Sequence, residues 1–296
     1  MRVFVTGATG FIGSALVKEL IGAGHQVLGL ARSDAGAAAL ATTGAEVHRG
    51  SLEELESLRS GAAAADAVIH TAFVHDFSKF QENCEIDGRA IEALGDTLAG
   101  SDRPLIVTSG LALLAKNRLA TEEDPPAPVS DNYPRASEHK AASLEKRGVR
   151  TIVVRLPQVH DTVKQGLVSY AIQVAREKAV SAYIGDGLNR WAAVHRLDAA
   201  HLYRLALEKG TPGARYHAVA EEGVTAREIA EVIGRGLKVP VVSMSSEKTA
   251  EHFGWLAPFV GLDLQASSAQ TREKLGWNPA GPSLISDLES MQYFQA

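Results

Sequence analysis

Short apolar runs alternate with amphipathic segments through the first half of the chain. The first run, RVFVT at residues 2–6, consists mostly of β-branched and aromatic side chains. After a glycine-rich stretch, Ile12, Leu16 and Leu20 follow at helical spacing before a glycine stop. The pattern predicts a strand, a turn and a helix, in that order.

The same alternation recurs along the next 150 residues. Further strands are predicted at 26–31, 45–49, 66–73, 104–110 and 151–157. Between them, helices are predicted in the segment that ends near Thr43, at 52–60, at 80–99 and from Pro134 onward. The strands are apolar throughout, which is typical of a parallel sheet buried on both faces. We therefore predict an α/β protein with a doubly wound parallel sheet of the Rossmann type and a smaller C-terminal region.

The regular alternation loosens after about residue 158. Two more helices are predicted there, at 164–178 and 197–208. From this change we expect the following division: residues 1–158 as a dinucleotide-binding domain, 189–210 returning to it, and 159–188 with 211–296 as a substrate-binding region.

Composition and charge narrow the range of partners. Thirty Lys and Arg residues against thirty-five Asp and Glu residues give a net charge of −5 without a basic stripe, so no nucleic-acid partner is expected. The longest apolar runs are far shorter than the ~20 residues that a membrane span needs.

No secretory leader is visible, and the single cysteine, Cys84, suits a reducing cytosol, so a cytoplasmic protein is expected. His70, His75 and Asp76 match no common ligand spacing, and no metal is expected.

The glycine-rich stretch TGATGFIG lies between the first predicted strand and the first predicted helix. It places Gly7, Gly10 and Gly13 where the chain must turn tightly and where a diphosphate has to approach the backbone. The start of the helix adds unpaired N–H groups and a favourable dipole. In this context the motif predicts dinucleotide binding.

Several motifs together resemble the extended, epimerase/dehydratase-like branch of the short-chain dehydrogenase/reductase superfamily. Beside TGATGFIG, the matching segments are VIHTA (68–72), VTSG (107–110), VVRLPQVHD (153–161), YIGDGLNRWAAVHRLDAA (183–200) and TREKLGWNP (271–279). The likeness covers most of the chain. It implies a bound dinucleotide, contacted by Gly7, Thr9, Gly10, Phe11, Ile12, Gly13, Ser51, Leu52, Thr71, Ala72, Phe73 and Leu156. Ser51 departs from the aspartate that the family usually has near the adenine.

The end of the second predicted strand indicates which dinucleotide is bound. An acidic residue there would bind the ribose 2′-hydroxyl of NAD, but LARSDA has Arg32 and Ser33 in that place. A guanidinium can hold a 2′-phosphate through charge-assisted hydrogen bonds. The expected cofactor is NADP(H). The alternative is that Arg32 is an ordinary solvated charge.

Two side chains match the family's catalytic positions by resemblance. Ser109 stands where the family has its catalytic serine, at a strand end, although an ordinary strand-end hydroxyl is the alternative. Asp87 stands where the family has an asparagine of the proton relay. It shares a helix face with Ile91 and Leu94, so we expect it to be buried and paired. Alternatively, Asp87 only compensates the helix dipole.

The stretch NYPRASEHK contains a tyrosine and a lysine that do not keep the family's spacing of four. Tyr133 and Lys140 are seven residues apart, about 10 Å along a helix against about 6 Å for a spacing of four. With Pro134 as the first helical residue, Tyr133 would lie at the helix start. We interpret Tyr133 as the remaining acid and Lys140 as at most a ribose contact. The alternative is that Tyr133 is only an aromatic residue at the start of a helix and that Lys140 is only a solvated charge.

These observations favour an NADP(H)-dependent enzyme that reduces an aldehyde or ketone by hydride transfer. Ser109, Tyr133, Asp87 and Lys140 are its candidate catalytic residues. A sugar-nucleotide epimerase or dehydratase, or a regulatory protein that binds NADP without turnover, remain alternatives. The expected partners are a small-molecule carbonyl substrate and, at most, a second copy of the chain in a homodimer.

Overall fold

A seven-stranded parallel sheet forms the centre of the protein in the computed structural model, which describes residues 1–291 and residue 294. The last residues of the expected 211–296 region, 292–293 and 295–296, lie outside the described part. In chain order the strands are β1 (Arg2–Thr6), β2 (Gln26–Ala31), β3 (Glu46–Arg49), β4 (Ala67–His70), β5 (Leu105–Gly110), β6 (Thr151–Leu156), β7 (Gln158–His160), β8 (Ser181–Ile184), β9 (Arg190–His195), β10 (Arg215–His217), β11 (Glu221–Thr225) and β12 (Val241–Met244).

Helices cover both faces of the main sheet and build most of the C-terminal region. They are α1 (Phe11–Gly22), α2 (Asp34–Ala41), α3 (Leu55–Ala63), α4 (Phe80–Leu98), α5 (Ser137–Glu145), α6 (Val168–Lys178), α7 (Arg196–Lys209), α8 (Ala226–Leu237), α9 (Thr249–Phe253), α10 (Ala257–Val260), α11 (Ala269–Leu275) and α12 (Leu284–Glu289). Across residues 1–291 and 294, no helix combines the length and apolar character needed to cross a membrane.

The main sheet has the order β3-β2-β1-β4-β5-β6-β10, and all of its neighbouring strands are parallel. Alternate side chains of β1 enter two separate cores: Val3 and Val5 pack on one face, and Phe4 packs on the other. The predicted doubly wound α/β fold is therefore confirmed. The strand order reverses between β1 and β4, which creates a crevice at the carboxyl ends of these strands, where such sheets bind ligands.

The C-terminal region has a core of its own. β7, β9 and β11 form a three-stranded sheet, and β8 pairs with β12. Helix α8 begins with a complete capping box between Thr225 and Glu228, and its Ile229 and Val232 pack into this third core with Trp191. The strand β10, although it lies within 211–296, pairs with β6 of the main sheet, and α7 packs against α1.

Three predicted helix starts were wrong. The helix expected at 52–60 begins at Leu55 and ends at Ala63. The helix expected from Pro134 begins at Ser137, after an irregular segment that spans residues 111–136. Backbone hydrogen bonds in both directions between Ser130 and Tyr133 close a turn there, and Arg135 lies in the irregular link between this turn and the helix. The helix expected at 164–178 begins at Val168. For these last two helices the sequence is compatible with a longer helix, and contacts with other elements determine the shorter one.

Candidate functional site

The glycine turn between β1 and α1 is closed so tightly that side chains are excluded from it. Gly7 has φ +71°, and a Cβ there would lie 2.8 Å from the backbone nitrogen of Ala72. A Cβ on Gly13 would overlap the Gly7 carbonyl group, with 2.7 Å to its carbon. The Gly10 N–H donates to the Gly7 carbonyl oxygen at 2.8 Å. The turn thus brings bare backbone to the start of α1.

The start of α1 suits an anionic diphosphate. In the described part of the chain no side chain caps this helix, and its first turn has no acidic residue, so its N–H groups and dipole are directed toward the crevice. Lys164 and Arg196 lie over the ring of Phe11, with 5.8 Å from Nζ and 5.0 Å from Cζ to the ring centroid. The residues present therefore fit a dinucleotide.

The carboxyl end of β2 carries Arg32 and Ser33 at the surface. The guanidinium of Arg32 has no ion-pair or hydrogen-bond partner within the described residues, whereas the Ser33 hydroxyl caps α2 by accepting the Gly36 N–H at 3.1 Å. Arg49, which sequence reasoning missed, donates to the Ser33 carbonyl at 2.7 Å and to Asp34 at 2.6 Å. Arg49 could have been found from the expected pairing of the third strand with the second, because that pairing places Arg49 beside Ala31.

The other residues implied as cofactor contacts surround the crevice. Thr71 donates through Oγ1 to the Thr6 carbonyl at 2.8 Å, and Thr9 packs against Gly36 below the end of β2. Ser51 and Leu52 follow β3, and Leu52 packs on the second core. The implied contacts that line the main cavity are Phe11, Ile12, Gly13, Thr71, Phe73 and Leu156.

A cavity of about 320 Å³ opens beside the glycine turn, at the carboxyl ends of the central strands. Most of its wall is apolar and aromatic, formed by Phe73, Phe77, Phe80, Tyr170, Trp191 and Phe259 among others. No carboxylate lines it within the described residues, and its basic groups are Arg135, Lys164 and His75. The pKa of His75 is lowered from its ordinary value, mainly by burial and then by the positive charges of Lys164 and Arg135. A backbone hydrogen bond with Phe73 acts in the opposite direction and is outweighed.

Aromatic residues from two distant parts of the chain meet at this cavity. Phe77, from the loop after β4, stacks on Trp255 with ring centroids 4.7 Å apart and an angle of 8° between the rings. Tyr170 contacts both of these rings edge-on. Trp255 is 43% exposed and covers the outer side of Phe77, while Phe253 is buried in the C-terminal core. Neighbouring Asp76 is exposed and accepts hydrogen bonds from Ser78.

The structure brings Ser109 and Tyr133 to the same cavity. Both are at least nine-tenths buried, and neither hydroxyl has a hydrogen-bond partner in the described part of the chain. Gly110 separates them: a Cβ on it would lie 3.9 Å from the Tyr133 hydroxyl oxygen. Burial raises the pKa of Tyr133, so its hydroxyl is protonated at neutral pH.

Lys140 is not brought to the cavity. Because α5 begins at Ser137, Lys140 faces α4, where its Nζ donates to Glu92 at 2.6 Å. Glu138, two residues before Lys140, is buried and forms a two-pronged ion pair with Arg155. The ribose contact expected of Lys140 therefore finds no support in this geometry.

Asp87 is buried, as its helix face predicted, with Ile91, Leu94 and Leu98 beside it. Its Oδ1 lies 3.1 Å from His70 Nε2, and its Oδ2 accepts the Ser137 hydroxyl at 2.6 Å. Burial pulls the pKa of Asp87 upward, but the hydrogen bond and charge of His70, the charge of Arg135 and the Ser137 hydroxyl outweigh it. The pKa is lowered, and the group is a carboxylate that accepts from both neighbours.

We expect Asp87→Leu to lower the free energy of unfolding by roughly 2–5 kcal/mol, because it leaves two buried donors without an acceptor. Asp87→Asn keeps one acceptor oxygen and the shape of the side chain, so this variant should fold and should lose less free energy of unfolding than Asp87→Leu. Chemical denaturation of both variants measures the difference. Equal stability of Asp87→Leu and the wild type would contradict a paired carboxylate.

The matched control is Glu92→Leu on the same helix, which breaks a half-exposed ion pair and should cost about 1 kcal/mol or less. The dependence of stability on pH provides a second check. Since the pKa of Asp87 is lower in the folded protein than its ordinary value of 3.8, its stabilising contribution is complete above that value. The contribution is lost as the pH falls through the folded-state pKa.

Arg135 is the cavity residue that sequence reasoning missed. Its Nε donates to Ser137 Oγ at 3.1 Å, its Nη2 donates to the Thr108 carbonyl at 3.3 Å, and its Cζ lies 4.6 Å from the centre of the Phe73 ring. The available signal was the presence of another cation in NYPRASEHK, two residues after the tyrosine.

Comparison with known proteins gives a consistent family match. Residues 3–219 match the model of the NAD dependent epimerase/dehydratase family. An uncharacterized protein of Schizosaccharomyces pombe is 51% identical over 99% of this chain and 100% of its own length. A Dictyostelium discoideum protein named sterol-4-alpha-carboxylate 3-dehydrogenase, decarboxylating, is 28% identical over 77% of this chain and 74% of its own. The solved UDP-glucose 4-epimerase of Thermus thermophilus, in complex with NAD, superposes with a TM-score of 0.77 at 20% identity, covering 100% of this chain and 99% of that one.

Proposed function

The chain belongs to the NAD-dependent epimerase/dehydratase family, within the extended short-chain dehydrogenases/reductases, and we propose that it is an NADP(H)-dependent reductase of apolar aldehydes or ketones. One observation carries the proposal. Two buried hydroxyls without partners, Ser109 and Tyr133, face one apolar cavity beside the glycine turn. A carbonyl oxygen is the group that two such donors can bind together.

The cavity wall supports a neutral, apolar substrate. Its aromatic side chains offer stacking and apolar contact, and the hydroxyls of Thr71 and Thr108 in the wall already donate to backbone carbonyls. With no carboxylate in the described wall, a cationic substrate has no counter-charge. The relative named as a sterol-carboxylate dehydrogenase is likewise named for oxidoreduction. These features favour a reductase over the sugar-nucleotide enzymes of the family.

The roles of this chain's residues follow from their places in the cavity. When bound, the reduced nicotinamide supplies a hydride to the carbonyl carbon. Ser109 donates a hydrogen bond to the carbonyl oxygen and orients it. Tyr133, protonated because burial raises its pKa, gives its proton to that oxygen as negative charge develops. The aromatic wall excludes water from the reacting atoms.

The preference for NADP(H) rests on the charges at the end of β2. Arg32 is exposed and unpaired within the described residues, and Arg49 adds a second guanidinium, already held at Asp34. Asp34 itself lies two residues beyond Arg32 and is bound to Arg49, so its carboxylate is engaged. A 2′-phosphate at this place would meet two arginines and the start of α2.

Arg32→Ala should weaken NADP(H) binding by about tenfold, because one charge-assisted hydrogen bond is lost, and should leave NAD(H) binding unchanged. Fluorescence titration of both dinucleotides measures the change. Arg59→Ala is the control, since Arg59 is a partly exposed arginine away from the end of β2 and pairs with Glu56 on α3. Tighter binding of NAD(H) than NADP(H) by the wild type would refute the preference.

The activity itself is tested by NADPH consumption with a panel of carbonyl compounds. The panel pairs aliphatic and aromatic aldehydes, ketones and diketones with charged keto acids and with nucleotide sugars. We expect turnover of the neutral apolar members. Turnover of nucleotide sugars alone would support the epimerase or dehydratase class. A protein that binds NADPH and turns over no member of the panel would support a regulatory role.

A further inference from the structure

Behind Arg135, and outside the cavity lining itself, lies a buried polar network that the roles of Ser109 and Tyr133 leave unexplained. It runs from Thr6 through His70 and Asp87 to Ser137, with heavy-atom distances of 2.8, 3.1 and 2.6 Å. All four side chains are almost wholly buried. The last of them, Ser137, accepts a hydrogen bond from Arg135, the residue at the cavity surface.

Arg135 is held in place from several directions. Ser137 fixes its Nε, the Thr108 carbonyl accepts from its Nη2, and the Phe73 ring lies under its guanidinium plane. Its Nη1 has no protein partner within the described residues. A guanidinium anchored on these sides presents its free edge to the cavity, which it lines together with Tyr133.

Among the described residues, no lysine lies beside Tyr133 in the cavity. Lys140 is bound to Glu92 outside the cavity, and Glu138 is an anion bound to Arg155. Lys164, the other cavity cation, lies over Phe11 at the diphosphate end. Among the basic side chains of the described cavity wall, Arg135 is therefore the one nearest to Tyr133 in sequence, and it lines the same cavity.

The charges around Tyr133 support this view. Burial raises the pKa of its hydroxyl, and the charge of Arg135 is the strongest of the effects that lower it. The remaining groups that face Tyr133 are Glu138 and Cys84, which raise the pKa, and Arg155, which lowers it.

We propose that Arg135 is the catalytic cation of this site, which stabilises negative charge on Tyr133 as the proton leaves, with Ser137 and Asp87 as its positioning residues. The inference rests on the proposed carbonyl reduction. In that step hydride bonds to the carbonyl carbon, the C=O electron pair moves to oxygen, and oxygen takes the Tyr133 proton. The phenolate that remains is held by Arg135 until water returns a proton.

The kinetic test uses Arg135→Met, Arg135→Lys and Ser137→Ala in the full chain. Arg135→Met should lower kcat by about 100-fold, and Arg135→Lys should retain about a tenth of the activity. Ser137→Ala should lower kcat less than Arg135→Met does. NADP(H) affinity should change by less than about threefold in all three. Arg147→Met is the control, because Arg147 follows α5 at the surface and pairs with Asp96.

A second measurement does not depend on turnover. Protein labelled with fluorotyrosine is titrated by fluorine NMR, and Tyr133→Phe identifies the Tyr133 signal. We expect the pKa of residue 133 to be higher by about one pH unit in Arg135→Met than in the wild type, because an opposing charge has been removed. Arg147→Met should leave it unchanged.

The outcomes separate this inference from the proposed function. An unchanged pKa of Tyr133 in Arg135→Met, or full activity of that variant, overturns the role of Arg135. A wild type that reduces no carbonyl, while the pKa of Tyr133 still rises in Arg135→Met, overturns the reductase and supports Arg135 as the cation that acts on Tyr133.

Discussion

Tyr133→Phe is expected to lower kcat for carbonyl reduction by about 100-fold or more, since general acid catalysis typically contributes 10²–10⁴-fold. The substitution removes one hydroxyl that has no partner in the described residues, so the fold loses no hydrogen bond. Cofactor affinity should stay within about threefold of the wild type, because the interaction is made in the transition state. Steady-state kinetics and fluorescence titration measure the two quantities.

Tyr183→Phe is the matched control for this experiment. Tyr183 is partly buried in β8, packs under Arg227 and does not line the main cavity. Its loss of a hydroxyl should leave kcat unchanged. If Tyr133→Phe is as active as the wild type, the proton comes from water or His75, and the assignment of Tyr133 is wrong.

Gly13→Ala should reduce dinucleotide affinity by about 100-fold or more, because its methyl group overlaps the Gly7 carbonyl and forces the turn apart. The same overlap should lower the free energy of unfolding by about 1–3 kcal/mol. Fluorescence titration with NADPH and chemical denaturation measure these effects separately.

Gly22→Ala supplies the control within the same helix. A Cβ at Gly22 would have no atom of the described residues within 4 Å, and the change should stabilise α1 by about 0.5–1 kcal/mol without altering dinucleotide affinity. Wild-type affinity in Gly13→Ala would mean that the turn does not approach the diphosphate, and the cofactor site would have to be sought elsewhere.

Local sequence patterns were sufficient for the sheet and for the glycine turn. RVFVT followed by three spaced glycines and an apolar helix predicts both the strand and its ligand-binding end, because each step depends on neighbours in the chain. The burial of Asp87 was predictable for the same reason, since the 3.6-residue period of α4 determines which side chains face inward.

The catalytic stretch was less predictable, because contacts remote in sequence shape it. Helical spacing alone sets Lys140 below Tyr133 on one continuous helix, but the turn at Ser130 and the hydrogen bond from Ser137 to Asp87 begin the helix three residues later than Pro134. No property of NYPRASEHK by itself reveals that Arg135 turns inward over Phe73.

The meeting of Phe77 and Trp255 was also beyond a sequence-based prediction. The two residues are 178 positions apart, and each belongs to a short 3-10 helix without a strong pattern of its own. Their contact depends on how the C-terminal region packs against the loop after β4, which is a tertiary property.

The aromatic wall and the proton-transfer groups stand on different kinds of backbone, and this bears on how such an enzyme can diversify. Phe77 and Trp255 come from short helical turns at the surface, whereas Ser109 ends a central strand and Asp87 lies in a long buried helix. Substitutions in the wall can therefore alter which carbonyl compounds are accepted and leave the buried network intact. Directed evolution for a new substrate should begin at these surface turns.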